Sequence, residues 1–198
     1  MLDQIELNDI EAIALEAGNI IMEIYNRDFT VECKDDKSPL TEADLKSNEV
    51  IINGLEALNS KFKIQNSKFK NIPILSEEGK EIPYEERKHW EYFWLIDPID
   101  GTKEFIKKNG EFTVNIALIH KSTPILGVVY APALKDMYKA KKGDGAFKNG
   151  LRLPLKTNNT PNETMTIVAS KSHLTEETKS FIDNLTFNIQ HLFQKAPL

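Results

Sequence analysis

Apolar residues in the first third of the chain recur with the spacing of a helix. From Asp9 to Tyr25 they lie three or four positions apart, which predicts an amphipathic helix there. Residues 29–34 alternate between apolar and polar and predict a short strand. A second helix is predicted to begin at Thr41. The positions of this helix expected to face inward are Leu45, Ile52, Leu55 and Leu58.

Beyond residue 71 the pattern changes from helical spacing to short apolar runs, which predict strands. These runs cover residues 72–75, 91–96, 111–119, 125–131, 136–142, 145–153 and 164–170. Within them, Asn149 and Gly150 are typical of a tight hairpin turn. A last helix is predicted over residues 174–185, capped by Ser172 or Thr175. Residues 60–71, which contain SKFK twice, are expected to be a basic surface connection.

The order of these elements predicts an α+β arrangement followed by the start of an α/β arrangement. We expect residues 1–157 to form an N-terminal α+β domain that binds metal and phosphate. Residues 158–163, NNTPNE, are the best linker candidate. Residues 158–198 then begin a C-terminal α/β domain that is expected to be truncated, because one strand and one helix cannot close a sheet or bury a core of their own.

Composition narrows the class of protein. The 198 residues are 40% hydrophobic and 28% charged, a globular balance, and the net charge of −5 argues against a nucleic-acid polymer as partner. Cys33 is the one cysteine, so no internal disulfide can form. The acidic N-terminus does not resemble a signal peptide, and no apolar run approaches the roughly 20 residues of a membrane span. We expect a cytoplasmic protein and leave peripheral membrane contact and oligomeric state open.

Acidic residues are concentrated where predicted elements begin or end. Asp44 lies at the start of the second helix, Glu77 and Glu78 follow one strand, and Asp97 and Asp100 follow the next. Strand ends that meet at one edge of a sheet bring such side chains together. Clustered carboxylates are the ligands of a hard cation such as Mg²⁺, whereas no histidine or cysteine lies near them at the spacing of a zinc site.

The stretch WLIDPIDGT carries the densest chemistry. Pro98 is expected to end the pairing of its strand, so that the Asp97 and Asp100 carboxylates and the Ile99 carbonyl point to one side. The glycine that follows leaves the backbone open to a ligand, and Thr102 begins a possible helical turn that favours a phosphate. A metal cluster beside a phosphate site predicts phosphoryl transfer or phosphate hydrolysis, with two metal ions clamping the reacting oxygens.

Each motif also has a purely structural interpretation. Asp-Gly is a common turn, Thr41 to Asp44 matches a helix capping box, and Glu77 to Gly79 is typical of a solvated turn. Lys107 and Lys108 are expected to form a solvated face, although an anionic substrate could use them. The presence of all three acidic clusters at element ends favours the functional interpretation.

With these residues identified, the motifs SPLTEAD, LSEEG and WLIDPIDGT resemble those of the inositol monophosphatase-like superfamily of metal-dependent, lithium-sensitive phosphatases. Downstream, DGTKEFIKKNGEFTVNIALI and PILGVVYAPAL are similar to the bacterial 3'(2'),5'-bisphosphate nucleotidases of the CysQ type. The resemblance extends from Met1 to about Leu185. It implies a layered αβαβα sandwich and hydrolysis of adenosine 3',5'-bisphosphate to AMP and phosphate, in sulfate assimilation.

The resemblance also implies a role for individual residues. The implied Mg²⁺ ligands are Glu77, Asp97, the Ile99 carbonyl and Asp100. The residues implied to hold the scissile phosphate are Asp100, Gly101 and Thr102. Glu77 and Ile99 are also implied to bind the substrate. Asp44 and Thr102 would form the pair that takes a proton from the metal-bound water. Lys34 would lie next to the metal ligands without binding the metal itself.

One family motif does not occur in this chain. The family carries a Trp-Asp near its C-terminus whose aspartate completes the second metal site, whereas Trp90 and Trp94 both lie upstream of this region. We therefore expect two or more Mg²⁺ ions in the intact family, one site incomplete here, and weak or absent turnover. The alternatives are an inositol or sugar monophosphatase on the same scaffold, or a metal-binding remnant without turnover. A calcium module is disfavoured, because Pro98 breaks the EF-hand pattern.

Overall fold

The computed structural model describes residues 5–33, 39–65, 72–154, 164–169, 175–185 and 188–192. Its helices are α1 Leu7–Tyr25, α2 Glu42–Gln65, α3 Tyr84–Arg87, α4 Thr102–Ile106 and α5 Glu176–Asp183. Its strands are β1 Val31–Cys33, β2 Pro39–Thr41, β3 Ile74–Ser76, β4 Tyr92–Asp100, β5 Thr113–His120, β6 Thr123–Ala131, β7 Asp136–Lys141, β8 Gly145–Lys148, β9 Leu151–Arg152, β10 Thr164–Val168 and β11 Asn188–Leu192. The chain divides into two compact units, Met1–Leu153 and Pro154–Leu198.

The first unit is built on a seven-stranded sheet whose strands follow the order of the chain from β3 to β9. β3 runs parallel to β4, and every later pair is antiparallel. Because β3 and β4 are parallel neighbours, they end at the same edge of the sheet. This pairing decides where the acidic residues that follow them lie.

Helices α1 and α2 pack on one face of this sheet, and the hydrophobic core lies between the two layers. Alternate residues of the central strands point into it: Trp94 on β4 is opposite Leu118 on β5, and Ile116 is opposite Val128 on β6. All four side chains are buried. A side-chain period of two in the strands and about 3.6 in the helices therefore supplies the two apolar surfaces that meet in the core.

Several local predictions are confirmed. The first helix covers the predicted residues, with its apolar stripe buried. Asn149 and Gly150 both have positive φ, at 49° and 80°, as the tight hairpin turn between β8 and β9 requires. Thr175 caps α5, since its Oγ1 accepts a hydrogen bond of 3.2 Å from the Thr178 amide.

Three local predictions are wrong. Leu45 is 49% exposed, because the inward face of the first turns of α2 is formed by Asp44 and Ser47 instead. The predicted basic connection is helical up to Gln65, where α2 ends. Pro98 does not end the pairing of its strand: β4 continues to Asp100.

The second unit contains β10 and β11, which pair in parallel, and α5. The predicted linker at residues 158–163 and the alternative cap Ser172 lie outside the described residues, as does Lys34. The domain boundary expected between residues 157 and 158 falls in the same undescribed stretch. Of the helices in the described part of the chain, none has the length and apolar character to cross a membrane.

Candidate active site

The parallel pairing of β3 and β4 brings the first two acidic residues together. Ser76 is opposite Ile96, and the Glu77 amide donates a hydrogen bond of 3.2 Å to the Ile96 carbonyl. Glu77 and Asp97 therefore leave the ends of neighbouring strands side by side, and their side chains share a hydrogen bond. The backbone from Ser76 to Gly79 forms the tight turn that the structural interpretation predicted, and Glu77 is exposed on it.

A bulge in β4 places the third acidic residue. Asp97 pairs with Asn115 on β5 and Asp100 pairs with Thr113, so that two residues of β4 have no partner across this step. Pro98, which has no amide hydrogen to donate, lies in this unpaired step. Its carbonyl accepts a hydrogen bond of 3.0 Å from the Ser47 hydroxyl on α2. Helix α2 therefore holds the bulge in place through this hydrogen bond.

Asn115 is a site residue that the sequence interpretation missed. Its Nδ2 donates a hydrogen bond of 3.3 Å to Asp100 Oδ2, and its Oδ1 accepts one of 3.1 Å from the Thr113 hydroxyl. A polar residue in an otherwise apolar strand is the signal that could have identified it. Ser47 was missed for a different reason, since only the packing of α2 against β4 brings it to the bulge.

The three carboxylates lie in an electrostatically unfavourable arrangement. Burial raises the pKa of Asp97 to about 8, with further contributions from the negative charges of Glu77 and Asp100. Burial also raises the pKa of Asp100, against the hydrogen bond from Asn115 that lowers it. Among the ion pairs that the structure describes, none joins Asp97 or Asp100 to a lysine or arginine. A cation placed among these oxygens would reverse the penalty.

The donor set fits Mg²⁺ better than a softer metal. The nearby side chains are carboxylates and an amide, and a backbone carbonyl, that of Ile99, lies between the two aspartates in sequence. In the described part of the chain, no three histidine, cysteine or acidic side chains are grouped closely enough to hold a metal ion together. This is compatible with Mg²⁺, which is usually held by one or two carboxylates, waters and the phosphate of the substrate instead of an all-protein cage.

Asp44 and Thr102 form a second pair, as the sequence interpretation expected. The side chain of Asp44 is completely buried. Its Oδ2 accepts hydrogen bonds from the Thr41 amide at 2.8 Å and the Thr41 hydroxyl at 2.6 Å. Its Oδ1 lies 3.1 Å from the Thr102 hydroxyl. The capping-box interpretation is therefore correct for Thr41, and Asp44 reaches the phosphate motif at the same time.

The environment of Asp44 makes its carboxyl group a weaker acid than usual. Burial raises its pKa, although the hydrogen bonds from Thr41 and Thr102 act in the opposite direction. The Thr102 hydroxyl also lies 3.3 Å from the Ile99 carbonyl. Because a hydroxyl carries one hydrogen, it can donate to Asp44 or to Ile99 at any moment, and its lone pairs remain able to accept.

Gly101 makes the turn between β4 and α4 possible. Its φ is +97°, in the left-handed region where residues with a Cβ are strained. A Cβ at this position would lie 2.9 Å from the Glu111 carbonyl oxygen. Both the backbone angle and the close approach of the segment before β5 therefore require glycine. The turn places Thr102 at the first position of α4.

Beside the acidic residues lies the sheet face opposite α1 and α2. A groove of about 460 Å³ runs along it, with Glu77, Asp97 and Asn115 at its polar end. The remaining lining is mainly apolar and includes Leu95, which is 44% exposed, and Val129. The site is therefore a polar edge continuous with an apolar sheet surface.

The layered α+β fold with acidic residues at the ends of paired strands defines a class of metal-dependent phosphatase scaffolds. The family model described as "Inositol monophosphatase family" matches residues 1–196, and the chain belongs to this family. Magnesium dependence is general in the family.

Among characterised relatives, the chain is similar to the 3'(2'),5'-bisphosphate nucleotidase CysQ of Salmonella typhimurium. The two are 42% identical over 183 residues, which cover 90% of this chain and 69% of the relative. The crystal structure of CysQ from Bacteroides thetaiotaomicron is 36% identical, with a TM-score of 0.75 over 93% of this chain and 70% of that one. The extragenic suppressor protein suhB from Bartonella henselae is 25% identical, with a TM-score of 0.68 over 93% of this chain and 68% of that one. The predicted fold class and family resemblance are thus confirmed.

Proposed function

We propose that the chain is a Mg²⁺-dependent phosphatase that hydrolyses adenosine 3',5'-bisphosphate to AMP and phosphate, the reaction that clears this by-product in sulfate assimilation. The observation that carries the proposal is the convergence of Glu77, Asp97 and Asp100 beside the Asp44–Thr102 pair at one edge of the sheet. The similarity to CysQ nucleotidases over 90% of the chain supports the choice of substrate. A cytoplasmic location is part of the proposal.

Four groups would contribute to the cation site, some of them through bound water: the side chains of Glu77, Asp97 and Asp100, and the Ile99 carbonyl. When bound, Mg²⁺ supplies a positive charge that acidifies a water molecule and neutralises the charge of the phosphate oxygens. The raised pKa of Asp97 supports this assignment. It shows that burial and the neighbouring carboxylates disfavour the ionised form of Asp97, which a bound cation would stabilise. With a cation present, Asp97 would be ionised at neutral pH.

Asp44 and Thr102 would remove the proton of the attacking water. We assign the Thr102 hydroxyl to donate to Asp44 Oδ1, which leaves its lone pairs free to accept from the water. As the water oxygen attacked phosphorus, its proton would pass to Thr102 and the threonine proton would pass to Asp44. The bond between phosphorus and the ester oxygen of the substrate would break, and this oxygen would leave with AMP and take up a proton from solvent. The distance of 3.1 Å between Thr102 Oγ1 and Asp44 Oδ1 supports this relay. Burial, which raises the pKa of Asp44, makes it a better proton acceptor.

The turn from Asp100 to Thr102 would hold the scissile phosphate, with Glu77 and Ile99 contributing through the cation. Gly101 has no side chain to obstruct the phosphate, and the fold has no room for one there. The groove beside Asp97 offers an apolar surface next to the reacting group.

A phosphate-release panel tests the proposal. Adenosine 3',5'-bisphosphate, inositol 1-phosphate and fructose 1,6-bisphosphate are each incubated with the chain, with Mg²⁺ and with EDTA. Because the second metal site is expected to be incomplete, we expect slow Mg²⁺-dependent release that is fastest from the bisphosphate nucleotide, and no release by the Asp97→Asn variant. Preference for inositol 1-phosphate would favour the alternative function, an inositol or sugar monophosphatase on the same scaffold. Calorimetric Mg²⁺ binding without release from any substrate would favour the metal-binding remnant.

A further inference from the structure

Lys108 is held by groups of another element. Its ammonium group donates hydrogen bonds to the Tyr25 carbonyl and, at 3.2 Å, to the Arg27 carbonyl. The same group lies 4.7 Å from the ring centroids of both Tyr25 and Phe29. Lys108 is exposed, as expected for a solvated face, although its ammonium group also binds these two carbonyls. Its neighbour Lys107 is 61% exposed and forms a surface pair of 3.6 Å with Glu104 of α4.

The position that Lys108 occupies is one where a cation is favoured. Tyr25 is the last residue of α1, and the carbonyls at a helix C-terminus have no partner within the helix and carry partial negative charge. The last turn of α1 contains no basic residue. Lys108, 83 positions further along the chain, supplies the missing positive charge.

Lys108 lies two positions after the last residue of α4, where a residue with positive φ commonly ends a helix. Its φ is +56°, in the left-handed region that glycine and asparagine adopt most readily and lysine rarely does. A strained residue persists where its surroundings hold it in place. The two carbonyls and two rings around the ammonium group are such surroundings.

Lys108 follows α4, whose first residue is Thr102. Phe105 on α4 is completely buried, and its ring lies 5.3 Å from Tyr25, 4.8 Å from Phe29 and 5.2 Å from Phe112. The Phe105 amide also donates to the Gly101 carbonyl at 2.9 Å. The aromatic cluster fixes the middle of α4, and Lys108 fixes its far end against the same helix terminus.

We propose that Lys108 is a positioning residue for Thr102. By tying the end of α4 to the C-terminus of α1, it holds the helix in the orientation that keeps the Thr102 hydroxyl 3.1 Å from Asp44. The contacts that the structure describes for Lys108 are with residues 25–29, so in this role it acts through the placement of α4. The link to turnover rests on the proposed function, whereas the link to the geometry of α4 does not.

Hydrogen–deuterium exchange of the metal-free chain tests the geometry. Lys108→Met keeps the stem but removes the charge, Lys108→Arg restores a cation, and Lys108→Gly removes both the side chain and the backbone strain. Lys107→Met is the matched control. We expect the amides of residues 102–107 to exchange about tenfold faster in Lys108→Met, with β5 and β6 unchanged. Lys108→Arg should return exchange to within about twofold of the wild type, Lys107→Met should not alter it, and Lys108→Gly should resemble Lys108→Met.

The proposal is overturned by unchanged exchange in Lys108→Met, by an equal effect of Lys107→Met, or by wild-type exchange in Lys108→Gly. Faster exchange over the whole first unit would also overturn it, because it would show general destabilisation in place of local positioning. The exchange measurement involves no substrate. Failure of the proposed function, with no phosphate released by any variant, therefore leaves this test intact.

Where phosphate release is measurable, steady-state kinetics adds a second test. A residue that acts by placing Thr102 should change kcat and leave KM almost unaltered. We expect Lys108→Met to lower kcat about tenfold with KM within about twofold, and Lys108→Arg to recover most of the loss. An increase in KM with unchanged kcat would show that Lys108 binds the substrate, which contradicts the positioning role.

Discussion

Replacing Asp97 by asparagine should stabilise the metal-free chain at pH 8 and remove its stabilisation by Mg²⁺. The pKa of Asp97 is about 8 in the fold, against an ordinary value of 3.8. Because the folded-state pKa is raised, the folded chain keeps a proton that the unfolded chain releases. The free energy of unfolding therefore falls as the pH rises between about 4 and about 8. Asparagine carries no charge at either pH and avoids this loss.

The magnitude follows from the two pKa values. At about 1.4 kcal/mol per pH unit, their difference corresponds to at most about 6 kcal/mol at pH 8. Asp97 is only half-buried at the sheet edge, so water screens much of this penalty. We expect Asp97→Asn to raise the free energy of unfolding by about 2 kcal/mol at pH 8 and by less than about 0.5 kcal/mol at pH 4.5.

Urea unfolding in EDTA, followed by tryptophan fluorescence, measures this difference, since the buried Trp94 lies on the same strand as Asp97. Mg²⁺ should then raise the stability of the wild type at pH 8 but not that of Asp97→Asn. Asp136→Asn is the matched control with the opposite sign: hydrogen bonds from Lys148 and Asn149 lower the pKa of Asp136, so its neutralisation should destabilise the fold. Our reasoning is refuted if Asp97→Asn is less stable than the wild type at pH 8 in EDTA, or if the difference does not depend on pH.

Three further substitutions test other parts of the fold and site. Gly101→Ala should lower the free energy of unfolding in urea by about 2 kcal/mol, because it forces a Cβ onto a backbone at φ +97°; an unchanged value would mean that the turn can relax. Thr102→Val should leave calorimetric Mg²⁺ affinity within about twofold but cut turnover about a hundredfold, because it removes the hydroxyl bonded to Asp44; weaker Mg²⁺ binding with normal turnover would contradict its role. Leu118→Ala should cost about 2–5 kcal/mol in the same urea assay, whereas Leu134→Ala, at a position 55% exposed, should cost less than about 0.5 kcal/mol.

Features that depend on near neighbours in the chain could be predicted from the sequence. The apolar spacing from Asp9 to Tyr25 predicted α1 within two residues of its start, and Asn149-Gly150 predicted the turn between β8 and β9. Leu45 shows the limit of such reasoning. Because Leu45 is apolar, it was expected to face inward. The inward face of α2 carries Asp44 and Ser47 instead, and their side chains form hydrogen bonds with Thr41 and Pro98.

The candidate site was only half predictable. Acidic residues at Glu77, Asp97 and Asp100 were visible because each follows an apolar run, and the family resemblance gave them roles. Their meeting depends on β3 lying beside β4 in parallel, which no local pattern specifies. Pro98 was expected to stop the strand, but β5 extends beyond it and pairs again at Asp100, so the proline lies in a bulge.

By itself, the sequence determined the period of each helix and strand, the hairpin turn and the type of chemistry available, because these follow from backbone sterics and residue type within a few positions. Only the tertiary structure decided that Asn115 contacts Asp100 and that Lys108 closes the end of α1. Those contacts join residues far apart in the chain. They exist because burying the apolar faces of α1, α2 and the sheet together brings distant polar groups within hydrogen-bonding distance.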